Sequence, residues 1–94
     1  QGNGNTPELE LTGYPNPFSE NVTLNYNLPE TGTVIIKVYN AIGELIDIIT
    51  NEDLATGRYT IDYSGRKLSK GMYTFRLDFI GEKTSSSVVL KMVK

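Results

Sequence analysis

Hydrophobic and polar residues alternate along much of this chain, which is the spacing of a β-strand with one buried face. Residues 22–28 read VTLNYNL and place a hydrophobic side chain at every second position. RYTIDY, at 58–63, and MYTFRLDF, at 72–79, follow the same rule. These three segments are therefore predicted to be strands.

Four further segments favour strands with less regular patterns. Residues 33–40, TVIIKVYN, place valine and isoleucine on one face, whereas 44–50, ELIDIIT, is apolar on both faces and its inward side is undefined. A last strand is predicted from about residue 84 to 93, and a weaker first one at 9–11. Pro29-Glu30-Thr31-Gly32 has the residues of a tight turn, so segments 22–28 and 33–40 are expected to form a hairpin.

No window of the sequence shows hydrophobic residues at helical spacing. Short strands separated by frequent turn residues are typical of an antiparallel sandwich. The predicted fold is all-β, an antiparallel immunoglobulin-like β-sandwich of about seven strands.

A short pattern, L-x-x-G-x-Y, occurs at 54–59 and again at 68–73. Each copy stands where a loop enters a predicted strand. Leucine is expected to pack under the loop, glycine to adopt a backbone angle that other residues resist, and tyrosine to bury its ring while its hydroxyl finds a partner. We interpret the two copies as similar corners of one sandwich.

Composition excludes several classes of partner and chemistry. The formal net charge is −2, without a basic cluster, so neither nucleic acid nor an anionic membrane is an expected partner. No stretch approaches the roughly 20 apolar residues of a membrane helix, so no direct membrane insertion is predicted. Cysteine is absent, which removes disulfides and thiolate sites.

Candidate catalytic residues are equally scarce. The chain has no histidine and no cysteine, so the commonest general base and nucleophile are both missing. Ser85–Ser87 near Lys83 are ordinary surface residues. Asn51-Glu52-Asp53 is a dense cluster of oxygen ligands, interpreted here as a solvated turn. We expect no enzyme activity, no cofactor and no bound metal.

The segment YPNPF, residues 14–18, precedes the first clear strand. Pro15 and Pro17 lack backbone N–H groups, so this segment is predicted to run along an edge and end strand pairing there. Either Tyr14 or Phe18 is expected to enter the core.

With these features in order, the sequence resembles the type A C-terminal sorting domain of the type IX secretion system, found on proteins exported by Bacteroidetes. The resemblance spans about residues 11–94 and rests on YPNPF, VTLNYNLPETGTVIIKVYNAIGELI, LATGRYTIDY and LSKGMYTFRL. The residues that match the family's motifs also include Tyr39-Asn40 and Leu45 around the central turn. The resemblance implies a recognition site formed by Pro15, Asn16, Pro17, Phe18, Gly43, Gly71, Tyr73, Lys91 and Lys94.

The resemblance also implies a role and partners. Such a domain catalyses nothing and directs an attached N-terminal passenger through the periplasm to the cell surface or beyond. Its implied partners are the type IX outer-membrane translocon and a surface sortase that removes the domain. The runner-up is an immunoglobulin-like or fibronectin-like accessory module that binds glycan or spaces a neighbouring enzyme.

The chain start predicts a domain boundary. Residues 1–8 open with glycine, asparagine and threonine without an apolar anchor, so we expect a linker from a preceding passenger domain there. Residues 9–94 are then the sorting β-sandwich. Because sandwiches expose main-chain groups at their borders, weak self-association through edge strands is also predicted.

Overall fold

The structure, a computed structural model, describes residues 8–94. Within them it contains seven strands and no helix. The predicted linker, residues 1–8, lies outside the described residues except for Glu8. The strands are β1 Glu10–Tyr14, β2 Asn21–Leu28, β3 Gly32–Tyr39, β4 Leu45–Leu54, β5 Gly57–Ser64, β6 Met72–Gly81 and β7 Ser85–Val93.

The strands form two antiparallel sheets, one of three strands in the order β1-β2-β5 and one of four in the order β4-β3-β6-β7. Hydrophobic side chains from the inner faces of both sheets meet in one core. The predicted β-sandwich is therefore confirmed, as are the strand assignments of the alternating segments. The fully buried side chains include Val22, Leu24, Leu28, Val34, Ile36, Val38, Phe75, Leu77, Phe79 and Met92.

The predicted hairpin between the second and third strands is wrong. β2 pairs with β1 and β5, whereas β3 pairs with β4 and β6. Residues 29–31 instead carry the chain from one sheet to the other. The apolar faces of β2 and β3 are both buried because the two strands lie in opposing sheets, and the local turn residues are compatible with either connection.

The pairing of β4 with β3 shows why the sequence pattern did not define which face of β4 points inward. Its register against β3 shifts twice, between Ile36 and Lys37 and between Val38 and Tyr39, so that Ile49 and Ile46 have no opposing residue. Each shift reverses the alternation of faces. Asn51–Asp53 lies within β4 opposite β3, so the interpretation of this cluster as a solvated turn is also wrong.

The alternating strand directions place the connections at two ends of a molecule with extents of 44 × 22 × 20 Å. The first end, which we call the motif end, comprises loops 15–20, 40–44 and 65–71 with Val93 and Lys94. The opposite end, called the far end, comprises Glu8 and the connections at 29–31, 55–56 and 82–84. Most of the predicted site residues belong to the motif end.

Candidate recognition site

The proline segment lies against the end of β7. β1 ends at Tyr14, and the Tyr14–Pro15 and Asn16–Pro17 peptide bonds are both cis. The Phe18 N–H donates to the Val93 carbonyl oxygen at 2.9 Å, and the Val93 N–H donates to Asn16 Oδ1 at 3.0 Å. Both main-chain groups of Val93 are thus bonded to the proline segment, which ends strand pairing at this edge as predicted.

Phe18 anchors the segment in the core. Only 3% of its surface is exposed, whereas Tyr14 is half exposed, so Phe18 is the aromatic residue that enters the core. Its ring centroid lies 6.3 Å from that of Tyr73 and 6.4 Å from that of Phe75, in tilted and edge-on arrangements. Gly65 lies under the ring, where a Cβ atom would come within 2.8 Å of it.

Lys94 is held by both its main chain and its side chain. Its N–H donates to the Gly71 carbonyl oxygen at 2.8 Å, and the Gly71 N–H donates back at 3.1 Å. The Lys94 Nζ atom donates to the carbonyl oxygens of Gly65 at 2.6 Å and Leu68 at 2.7 Å. The ammonium group therefore fixes the β5–β6 loop to the end of β7.

The two L-x-x-G-x-Y segments have the same corner structure. The Tyr73 hydroxyl donates to the Ser69 carbonyl oxygen at 2.6 Å, and the Tyr59 hydroxyl donates to the Ala55 carbonyl oxygen at 2.7 Å. The glycine before each tyrosine has a positive φ, which is 156° at Gly71. The predicted role of glycine and the hydrogen bond of the tyrosine hydroxyl are confirmed at both corners, whereas the ring is buried at Tyr73 and only partly buried at Tyr59. Both corners match the tyrosine corner of immunoglobulin-like folds.

The β3–β4 turn is held by Asn40. Its Oδ1 atom accepts hydrogen bonds from the N–H groups of Ile42 and Glu44, at 3.1 and 2.9 Å. Its Nδ2 group donates to Glu44 Oε1 at 2.8 Å. Gly43 has a φ of 86° and open space where a side chain would start, so its role is conformational. This bonding displays Ile42 at the tip of a fixed turn.

Lys91 is placed differently from the other predicted site residues. It lies opposite Thr74, which in turn lies opposite Tyr39, so its side chain belongs to the outer face of the four-stranded sheet. It is exposed. The structure therefore brings eight of the predicted residues together at the motif end and places Lys91 three positions from Lys94 on the adjoining face.

Both ends carry charged residues of both signs. At the motif end, the β5–β6 loop contains Arg66, Lys67 and Lys70, and Arg66 Nε lies 3.7 Å from Glu20 Oε1. At the far end, Glu30 accepts hydrogen bonds from the Thr84 hydroxyl, at 2.9 Å, and from the N–H groups of Lys83 and Thr84. The Thr84 hydroxyl and these N–H groups lower the pKa of Glu30 below its ordinary value.

Tyr63 links the two sheets through a hydrogen bond between β5 and β4. Its hydroxyl lies 3.2 Å from Asp47 Oδ2 and donates a hydrogen bond to it. Burial of the phenol and the nearby Asp47 carboxylate raise the pKa of Tyr63 to about 12. The hydroxyl thus remains a neutral donor, which suits a structural bond between β5 and β4.

Residues 8–94 contain no group of three or more His, Cys, Asp and Glu side chains suited to a metal ion. The same part of the chain has no helix with the length and apolarity needed to span a membrane. Tyr26 is buried and stacks on Tyr59 with centroids 5.6 Å apart, so this aromatic pair packs within the fold and is not an exposed surface on which a sugar ring could stack. The accessory-module alternative is not favoured.

Comparison with known proteins shows that this sandwich belongs to the class of export signals. Residues 12–91 match the family described as the secretion system C-terminal sorting domain. The chain belongs to that family and is a C-terminal sorting signal of the type IX secretion system. No curated protein matches the chain.

Membership carries consequences for partners and destination. The domain interacts with the type IX secretion machinery and is attached to an N-terminal passenger, which it directs toward the cell surface or the extracellular space. The sequence motifs identified this role correctly. The sequence motifs did not indicate Val93, Gly65 or the carbonyl oxygen of Leu68, because all three contribute main-chain atoms. Only Gly65 also depends on residue type, through its close packing under Phe18.

Proposed function

We propose that the motif end is the surface by which the type IX outer-membrane translocon recognises this domain, and that the domain itself catalyses nothing. The observation that carries this proposal is that hydrogen bonds connect three motifs that are far apart in the sequence. The proline segment bonds to Val93, Gly71 bonds to Lys94, and Lys94 bonds to the β5–β6 loop. Such a surface exists only in the folded domain and is rigid before binding, which reduces the entropy lost on docking.

The orientation of the domain supports this assignment. Glu8 lies at the far end, where its carbonyl oxygen accepts a hydrogen bond from Asn27 Nδ2 at 3.0 Å. β1 then runs toward the motif end, and the longest dimension of the molecule is 44 Å. A passenger joined before Glu8 therefore attaches at the end opposite to the proposed recognition surface.

The two C-terminal lysines have different roles in this proposal. Lys94 positions the loop, because its ammonium group is bonded to carbonyl oxygens. Lys91 is exposed and is the lysine that contacts the machinery directly. Pro15 and Pro17, exposed beside Val93, form part of the same contact.

The proposed route begins in the periplasm and ends at the cell surface or in the medium. A surface sortase then cuts within residues 1–8, which act as the linker, and releases the sandwich formed by 9–94. Linkers outside a packed core are the usual sites of cleavage.

The test is an export assay in a type IX-competent host. A fluorescent reporter with an N-terminal signal peptide is fused to residues 1–94 and compared with the same reporter alone and with a host lacking the translocon. Export that requires both the domain and the translocon is the expected result. Equal export with and without the domain contradicts the proposal.

Two charge variants test the lysine assignment in the same assay. Lys91→Gln is expected to reduce export while leaving thermal stability unchanged, because this side chain is exposed. Lys83→Gln, an exposed lysine at the far end, is the matched control and is expected to export normally. Normal export of Lys91→Gln removes Lys91 from the recognition surface.

A further inference from the structure

The exposed hydrophobic side chains of residues 8–94 are unevenly distributed. All the large ones except Tyr14 belong to the four-stranded sheet or its β3–β4 turn. The outer face of the three-stranded sheet is polar and is bonded across strands, for example between Thr60 and Asn25 and between Thr23 and Asp62. The exposed hydrophobic residues are Tyr14, Ile42, Leu45, Ile46, Ile48, Met72, Ile80, Val89 and Val93.

Several of these side chains lie beside the motif end. Met72 is paired with Val93, and Leu45 is paired with Tyr39, so all four belong to the outer face where it meets that end. Ile42 is the most exposed, at 81%, and stands at the tip of the turn that Asn40 holds. A turn tip normally carries polar residues, so a rigidly displayed isoleucine needs an explanation beyond turn formation.

A shallow groove separates Ile42 from the start of β6. It has a volume of about 220 Å³, and its lining includes the apolar side chains of Ile42 and Met72 together with Lys70. Lys70 belongs to the β5–β6 loop, whose other charged residues, Arg66 and Lys67, are also basic. Arg66 is paired with Glu20, at 3.7 Å between Nε and Oε1, so Lys70 is the charged residue that the groove itself offers.

We propose that this groove, with Ile42, Met72 and Lys70 as its principal contacts, binds an apolar segment of the secretion machinery that carries a carboxylate beside it. The inference rests on the proposed function, because it extends the recognition surface from the motif residues to side chains outside them. A carboxylate-bearing partner is favoured because Lys70 is the charged residue that lines the groove. A second copy that docks groove to groove is disfavoured, since the two Lys70 ammonium groups would repel each other.

The test compares exposed residues of the same type at the two ends of the sheet. Ile42→Glu is matched with Ile80→Glu, since Ile80 is 54% exposed and lies near the far end of β6. Lys70→Glu is matched with Lys83→Glu, and Lys70→Arg preserves the charge. Each variant of residues 1–94 is fused to the reporter for export, and its melting temperature is measured as a check of folding.

Ile42→Glu and Lys70→Glu are expected to reduce export at least about tenfold, as expected for central contacts of an interface. Ile80→Glu, Lys83→Glu and Lys70→Arg are expected to export normally, and all melting temperatures are expected to remain close to that of the unaltered domain. Normal export of Ile42→Glu or Lys70→Glu overturns the inference while leaving the sorting role intact. Equal losses at both ends also overturn it.

Two further results separate the alternatives. If the unaltered domain fails to direct export, the proposed function is wrong and the inference falls with it. Sedimentation of the unaltered domain at two concentrations detects self-association. Dimers that Ile42→Glu abolishes would show that the groove is occupied by a second copy, contrary to the inference.

Discussion

Lys94→Met tests whether the last lysine fixes the loop at the motif end. Methionine keeps an unbranched apolar side chain of similar length and removes the ammonium group. Two short hydrogen bonds are lost, to the carbonyl oxygens of Gly65 and Leu68 at 2.6 and 2.7 Å. A contact of Nζ with the Arg66 carbonyl oxygen, at 3.5 Å, is too long to contribute much.

The magnitude follows from these bonds and from partial solvation. A hydrogen bond to a charged group contributes about 1.5–3 kcal/mol. Gly65 retains a hydrogen bond from the Leu68 N–H at 3.0 Å, and Lys94 is only half buried, so the lower part of that range applies. Two bonds at the lower end of that range give a total loss of about 3 kcal/mol in the free energy of unfolding, which lowers the melting temperature by about 12–24 °C for a domain of this size.

The assay is thermal unfolding of residues 1–94 followed by circular dichroism, with calorimetry to establish two-state behaviour. Lys91→Met is the control, because Lys91 is exposed and its replacement is expected to change stability by less than about 0.5 kcal/mol. A Lys94→Met domain that melts within about 2 °C of the unaltered one refutes the structural role of the ammonium group. Lys94 would then be free for direct recognition.

Three other perturbations test the fold that supports the site. Phe18→Ala is expected to cost about 3–5 kcal/mol in urea unfolding, because a fully packed ring is lost from the core; a cost below about 1 kcal/mol contradicts that packing. Gly71→Ala is expected to cost about 1–3 kcal/mol through backbone strain at φ 156°, since no neighbouring atom obstructs a Cβ there, and an unchanged urea midpoint argues against that strain. Glu30→Gln is expected to lower stability above pH 4.5, the ordinary pKa of the carboxyl group, because the charged Glu30 stabilises the folded domain there. The unaltered domain loses this stabilisation as the pH falls through the lowered pKa of the folded state. The urea midpoints of the two proteins should therefore converge in acid, and a constant difference from pH 7 to pH 3 excludes the carboxylate as its cause.

The fold was predictable where one strand face is buried and the other is solvated. β2 and β6 have this arrangement, and their alternation identified both strands and their core residues. β4 lacks it, because Ile46 and Ile49 interrupt the register and the strand lies at an edge. The connection at 29–31 was misassigned because the pairing of β2 and β3 is decided by long-range contacts, which turn residues do not encode.

The way in which the candidate site residues are connected was not predictable from the sequence. Resemblance to the sorting domain family identified Asn16, Gly71 and Lys94, but the hydrogen bonds that connect them run largely to main-chain atoms. Such bonds depend on where β7 ends relative to the loops. Lys94 illustrates the difference, since a terminal basic residue suggests a charge offered to a partner and the structure shows that charge already bonded within the domain.

The motif end depends on β7, so it can form only late in the synthesis of the domain. β7 is the last of the seven strands to be synthesised, and it supplies Met92 to the core as well as both main-chain groups that hold the proline segment. A ribosome-bound chain that has not reached Val93 has neither the closed core nor the clamped prolines. Under the proposed recognition by the motif end, the domain is recognised only after β7 has been synthesised, and a product truncated before Val93 is not exported.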